Sequence, residues 1–168
     1  IHDRPQEADG TRFGDWEMDT IVDAYGHAIV TLTERSTNFI LMEKLPQGRK
    51  AIPTALTVAR LLFPYRKTLR TITTDNGCEF AAHLEITRRL SLKNRDKVIV
   101  YFADSYCSWQ KGAIENANKI IRKYIPKKSN FDDFSDKRIM EIQKKLNRRP
   151  REKINFDTPK ARFFAHVG

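Results

Sequence analysis

The sequence predicts an α/β domain: a mixed five-stranded sheet in the chain order β-β-β-α-β-α-β-α-α, flanked by helices. Three observations predict it. Three β-rich runs near the start are separated by short joins, as in an antiparallel meander. After them, β-rich runs alternate with stretches of helical periodicity. In "TITTDNGCEF" (71–80), Asn76-Gly77 would signal a hairpin, yet helical spacing follows, so this turn carries strand into helix.

The first strand is "GDWEMDTIVDA", alternating around Trp16, Met18 and Thr20. "HAIVTLTER" and "NFILMEKL" are the second and third, joined by "RSTN". "KAIPTALTVARLLF" reads as a helix, with Pro53 tolerable only near its first turn. "TLRTITT" is strand four. Phe80, Leu84, Ile86, Leu90 and Leu92 space a helix after Gly77, and "DKVIVYF" is strand five. Helices follow over "GAIENANKIIRKYI", from about Ser135 to Asn147, and near Ala161.

At 168 residues and 40% hydrophobic, the chain is long enough for one domain with its own core. It has no run of about 18 apolar residues, so no membrane span is expected, and no signal peptide is visible. The polar opening "IHDRPQEADGTR" reads as a lead (1–13) from a longer chain, before a core at 14–168. Net charge +10 and a pI near 9.8 favour a polyanionic partner, nucleic acid before an anionic membrane surface. Cys78 and Cys107 form no CxxC pair, and the four His have no zinc spacing, so free thiols in a reducing compartment are expected.

Three carboxylates stand at element ends. Asp19 is late in strand one and Asp75 ends strand four; in a sheet of this order the two strands can be neighbours. Two carboxylates side by side repel, and a hard cation such as Mg²⁺ between them relieves the repulsion. The plain alternatives stay open: Asp15, Glu17 and Asp19 share a face by period two and suit a solvated face, while Asp-Asn-Gly is good turn chemistry. Glu115 is the third. Ile114, Ala117, Ile121 and Tyr124 mark the helix's core side, and Glu115, Lys119 and Arg122 its other side. That stripe is either an exposed salt-bridged face or a metal ligand flanked by phosphate contacts.

"GDWEMDTI", "TDNGCEF" and "YFADSYCSWQKGAIENANKIIRKYIPK", with the lead "DRP" and the tail "LNRRPREKINFDTP", resemble the catalytic domain of bacterial insertion-sequence transposases of the insertion-sequence-thirty family. The resemblance covers nearly the whole chain; its third block is the specific one. Met18, Ala113, Ile114 and Cys78 depart from the family's usual residues without removing an acid.

The resemblance implies a ribonuclease-H-like fold, as in retroviral-type integrase cores, and an Asp-Asp-Glu triad at Asp19, Asp75 and Glu115. It implies two Mg²⁺ ions, Mn²⁺ substituting, and DNA cleavage followed by strand transfer. The expected partners are DNA, as element ends and target, and further copies of the chain in the active complex; the setting is bacterial cytoplasm, at the nucleoid. Lys119, Arg122, Arg148, Arg149 and Arg151 are candidate phosphate contacts, the arginines reading equally as a solvated face, and Trp109 is a candidate stacking residue whose plainer reading is a half-buried loop aromatic. Asn116 and Asn118 read as helix surface, Asp104 as a loop or capping residue, and His83 as structural. The alternatives are a nuclease or resolvase of the same fold, and a basic DNA- or partner-binding module without activity.

Overall fold

A computed structural model describes residues 1–168. Five strands form one sheet: β1 (Asp15–Val22), β2 (Ala28–Glu34), β3 (Ile40–Lys44), β5 (Thr71–Thr74) and β6 (Ile99–Phe102), in the order β3-β2-β1-β5-β6. The first three pair antiparallel, whereas β5 joins β1 and β6 joins β5 in parallel. The five helices are α1 (Ala51–Leu62), α2 (His83–Leu90), α3 (Gly112–Ile121), α4 (Asp136–Asn147) and α5 (Pro159–Val167). The mixed sheet and the helix order are as the sequence predicts.

Every residue of β2 is buried, so both sheet faces are covered. Strand alternation sorts the core into two clusters. Trp16, Met18, Val30, Leu32 and Ile72 face α1, α2 and α5, through Val58, Leu62, Ile86, Leu90 and Phe163. Ile21, Ile29, Ile40 and Met42 face α3 and α4, through Ile114, Ala117, Ile121, Ile139, Ile142 and Leu146.

Local chemistry sets the helix ends. The Ser135 side chain accepts from Arg138 N–H and the Thr158 side chain from Ala161 N–H, with Pro159 opening α5. Pro53 lies in the first turn of α1, where no intrahelical donor is missed. At the outer strand β3, α4 supplies side-chain amides in place of a neighbour. Asn147 accepts from Ile40 N–H at 2.8 Å and donates to Ile40 C=O at 2.8 Å, and Gln143 accepts from Met42 N–H at 2.8 Å.

The structure departs from the sequence reading in three places. A short extended segment, β4 (Pro46–Arg49), lies outside the five-stranded sheet and had no strand signal. The helix expected from Phe80 splits into a tight 3-10 turn, Cys78–Phe80, and α2. The turn sends Phe80 into the core, while Leu84, expected on the apolar face, is 71% exposed.

The acids of β1 do not form a solvated face. Asp15 and Glu17 are fully buried, because α3 and the residues before β1 cover that side of the sheet. The Asp15 carboxylate takes Arg12 at 2.8 and 2.9 Å and the Thr71 hydroxyl at 2.7 Å. Glu17 accepts from Ile114 N–H at 2.8 Å and pairs with Arg35 Nε at 2.8 Å, fixing the start of α3. Residues 1–13 pack on the core: Ala8 is buried, and Arg4 reaches the Thr73 hydroxyl and Gln110 C=O, each at 3.2 Å.

Candidate active site

The parallel register of β1 and β5 positions the first two acids. Asp15 stands opposite Thr71 and Glu17 opposite Thr73, an offset of 71 − 15 = 56. Carried on by two residues, that offset sets Asp19 against Asp75, the first residue beyond β5 (19 + 56 = 75). Asp19 Oδ1 accepts from Thr20 N–H at 2.8 Å, and Oδ2 accepts from Asn118 Nδ2 at 3.2 Å. The Asn118 amide is turned that way by the Thr31 hydroxyl, which donates to its Oδ1 at 2.8 Å. Asn118 is thus a site residue rather than helix surface; Asn116 is exposed, as expected.

Asp75 is held by its own turn, its Oδ1 accepting from Gly77 N–H at 2.9 Å. Its Oδ2 lies 3.3 Å from Lys111 Nζ. The lysine side chain is only 10% exposed, so its ammonium is an interior charge partnered by carboxylate. Burial raises the pKa of Asp19; Lys111 works against that rise, and the charges of Asp75 and Glu79 add to it. Glu115, in the first turn of α3, is half-buried and lines one cleft of about 210 Å³ with Asp75, Asn76 and Lys111.

Glu79 was not anticipated. It is 3% exposed, and its Oε1 accepts from the Thr20 hydroxyl at 2.5 Å and stands 3.8 Å from Arg49. The only sequence signal was a charge one position before the core residue Phe80. Lys111 was missed for a similar reason, standing one residue ahead of the helix start.

No three His, Cys, Asp or Glu side chains come close enough together to hold a metal ion. The donor chemistry nevertheless suits a hard cation. Asp19 and Asp75 share the influence of one ammonium, and a carboxylate pair that draws in a lysine charge is one that takes a cation.

Gly77 has an ordinary φ of −59°, so the sharp turn does not need glycine for its backbone. What needs it is space: a Cβ there would lie 2.5 Å from Glu79 Oε2 and 3.0 Å from Asp75 Oδ1. Gly77→Ala is therefore expected to leave the melting temperature nearly unchanged while displacing two carboxylates. Any reaction that uses these two acids should slow about 100-fold; a wild-type rate would show that the carboxylates tolerate the shift.

The other predicted residues divide. Lys119, Arg148 and Arg149 are exposed and available. Arg122 is engaged: its guanidinium donates to Val22 C=O at 3.0 Å and stands 5.7 Å over the Phe131 ring, tying the end of α3 to the end of β1. Arg151 donates to Leu146 C=O at 3.1 Å. Trp109 is 73% exposed rather than half-buried. His83 packs edge-on to Phe102 at 4.8 Å. Asp104 is a loop residue bonded to Gln110 at 3.1 Å, and both cysteines are free.

Comparison with known proteins follows the same outline. No family model matches the chain. It is 41% identical over 165 residues to the transposase for insertion sequence element IS4351 of Bacteroides fragilis, covering 97% of this chain and 48% of that protein. It is 34% identical over 163 residues to transposase InsI for insertion sequence element IS30A of Escherichia coli (strain K12), covering 95% and 40%. The chain thus spans less than half the length of these relatives. In three dimensions it matches the catalytic core domain of BIV integrase, with a TM-score of 0.66 and 19% identity, over 92% of this chain and 95% of that one. That likeness makes the fold ribonuclease-H-like, as the sequence predicts.

Proposed function

The chain is a relative of the insertion-sequence transposases of the insertion-sequence-thirty family, and on that premise we propose that it is a DDE transposase core that cleaves and joins DNA strands. One observation carries the reading: the β1–β5 register, carried on by two residues, sets Asp19 against Asp75, and Asp75 shares a cleft with Glu115 of α3. Residues 14–168 form the catalytic core on this reading, with 1–13 as a lead packed upon it.

Asp19, Asp75 and Glu115 would hold the metal, two Mg²⁺ ions or Mn²⁺ in their place. When bound, the metal activates the attacking oxygen and neutralises the leaving oxygen of an in-line displacement. The chain's own residues do the rest. Asn118 and Thr20 fix the rotamer of Asp19. Gly77 N–H fixes Asp75, and Lys111 Nζ, 3.3 Å from Asp75 Oδ2, is the counter-charge of the resting site. Lys119, Arg148, Arg149 and Arg151 contact backbone phosphates, which fixes the strand without reading its sequence. In the first step water attacks the phosphodiester at the element end, leaving a 3′-OH on the element and a 5′-phosphate on the flank; in the second that 3′-OH attacks a target phosphodiester and displaces the target's 3′-OH. Both ends must be brought together, so the active complex contains more than one copy.

The test is a strand-transfer assay on the full-length chain, with a pre-processed element-end oligonucleotide, plasmid target and Mg²⁺. Joined product is expected. Cleavage of an RNA–DNA hybrid without joining would replace this reading with a nuclease, and metal-independent binding without cleavage would replace it with a binding module.

The raised pKa of Asp19 gives a second expectation. A carboxyl raised above its unfolded value, about 3.9, contributes stability at low pH and loses it as pH rises through the folded value. In EDTA the contribution of Asp19 to the melting temperature should fall across that window, against Asp9, Asp23, Glu85 and Asp104, whose lowered pKa values act the other way. Glu17 acts in the same direction, so the difference between wild type and Asp19→Asn isolates Asp19. Mg²⁺ should restore wild type, and more so at higher pH, where Asp19 is ionised. A Mg²⁺ shift equal at both ends of the window, or present in Asp19→Asn, would remove Asp19 from the metal site.

A further inference from the structure

We propose that the cavity beside the start of α3, on the opposite flank of the helix from Glu115, is a subsite for one unpaired nucleotide of a DNA strand. Its phosphate would sit on Arg151 and Lys153 and its base on Trp109. The proposal rests on the reading of the chain as a DNA strand-transfer core and extends it to a second contact point.

The cavity has a volume of about 380 Å³, which suits one nucleotide and excludes a duplex. Gly112, Ala113 and Asn116 of α3 form one wall, and Thr33 of β2 lies beneath. Thr33 is 1% exposed, and its hydroxyl is buried without a hydrogen-bond partner in the protein, which a phosphate oxygen of the nucleotide would supply. Arg35, Arg151 and Lys153 also line the space.

Part of that charge is already answered. Arg35 pairs with Glu17, and the one carboxylate lining the cavity, Asp9, is turned onto Thr11 at 2.6 and 2.8 Å. Arg151 spends one bond on Leu146 C=O, and Lys153 one on Arg35 C=O. Both keep further donors. Burial, and then the charge of Arg149, lower the pKa of Arg151, the mark of crowded cations that an anion would relieve.

At the mouth stands Trp109, 73% exposed, a platform that only a base with an open face can stack on. The geometry also supplies the path. The 3-10 turn Ser108–Lys111 carries Trp109 towards this cavity and Lys111 towards Asp75, so a strand crossing the start of α3 passes from cleft to cavity.

Trp109 also provides the readout. The chain has two tryptophans, and Trp16 is 1% exposed, so a DNA-dependent change in fluorescence reports Trp109. The 168-residue chain would be titrated in EDTA with a duplex bearing a short unpaired overhang, the same duplex blunt, and inorganic phosphate. Quenching by the overhang alone is expected. Lys153→Ala should weaken overhang binding about tenfold and reduce the slope of log affinity against log salt by about 0.7, one phosphate contact on a single strand. Thr33→Val should weaken it several-fold with the salt slope unchanged.

Equal quenching by the blunt duplex overturns the subsite, reducing it to a backbone contact; so does overhang affinity unchanged in both variants. If the full-length chain joins DNA but shows no overhang-specific quenching, the subsite fails and the transferase reading stands. Overhang-specific quenching in a chain whose full-length form never joins DNA gives the reverse.

Discussion

Asp75→Asn is expected to lower DNA cleavage and joining by the full-length chain about 1,000-fold or more, while the domain stays folded. Asparagine has the size of aspartate, and its Oδ1 can still accept from Gly77 N–H, so the turn after β5 survives. What disappears is the charge. Lys111 is buried, but Asp19 also acts on its ammonium and remains, and the Asp75 side chain is 47% exposed, so the loss of stability should be modest. The same charge carries far more in the reaction, where a bound cation supplies several kcal/mol of transition-state stabilisation, and about 4 kcal/mol is three decades in rate. Asp19→Asn and Glu115→Gln should share the loss. Parallel assays of joining and thermal melting decide the matter: a variant that melts near wild type and still joins DNA removes that acid from the triad.

Phe163→Ala should cost about 3–5 kcal/mol of stability, the usual range for deleting a fully buried aromatic ring. Phe163 has no exposed surface. It stacks on Phe39 at 4.1 Å, meets Trp16 edge-on at 5.7 Å and Tyr65 at 4.9 Å. Through it, α5 is joined to β1, to the residue before β3 and to the turn after α1. Alanine would leave a cavity between three rings that cannot all close onto it. In a chain of this length the melting temperature should fall by on the order of 10 °C. The neighbouring ring is the control: Phe164 is 43% exposed, so Phe164→Ala should cost clearly less. Equal effects in urea titrations would mean that α5 is held by its surface contacts instead.

The element order was legible because its signals are local. Alternation marks the strands, and turn residues mark their ends. The face that each strand turns inwards was less legible. Period two places Asp15, Glu17 and Asp19 together, but nothing within the strand says that α3, about a hundred residues later, covers them. Asn118 was misread for the same reason, since its partners are Asp19 and Thr31. Asp19, Asp75 and Glu115 were singled out by their positions at element ends and by resemblance, whereas Glu79 and Lys111 have no spacing to betray them. The plain readings of Arg122, as a solvated face, and of Trp109, as a half-buried ring, depart from the structure in opposite senses. A charge expected in solvent is bound to backbone, and a ring expected to be half-covered stands free.

The amides of Asn147 and Gln143 on β3 have a consequence for assembly. A sheet grows by offering open N–H and C=O groups to another strand, and on this border three of those groups already have partners within the same chain. A second copy therefore cannot zip onto the domain there by continuing its sheet. Any copy that approaches this border has to meet it through side chains, and sheet continuation is left to the opposite edge, β6.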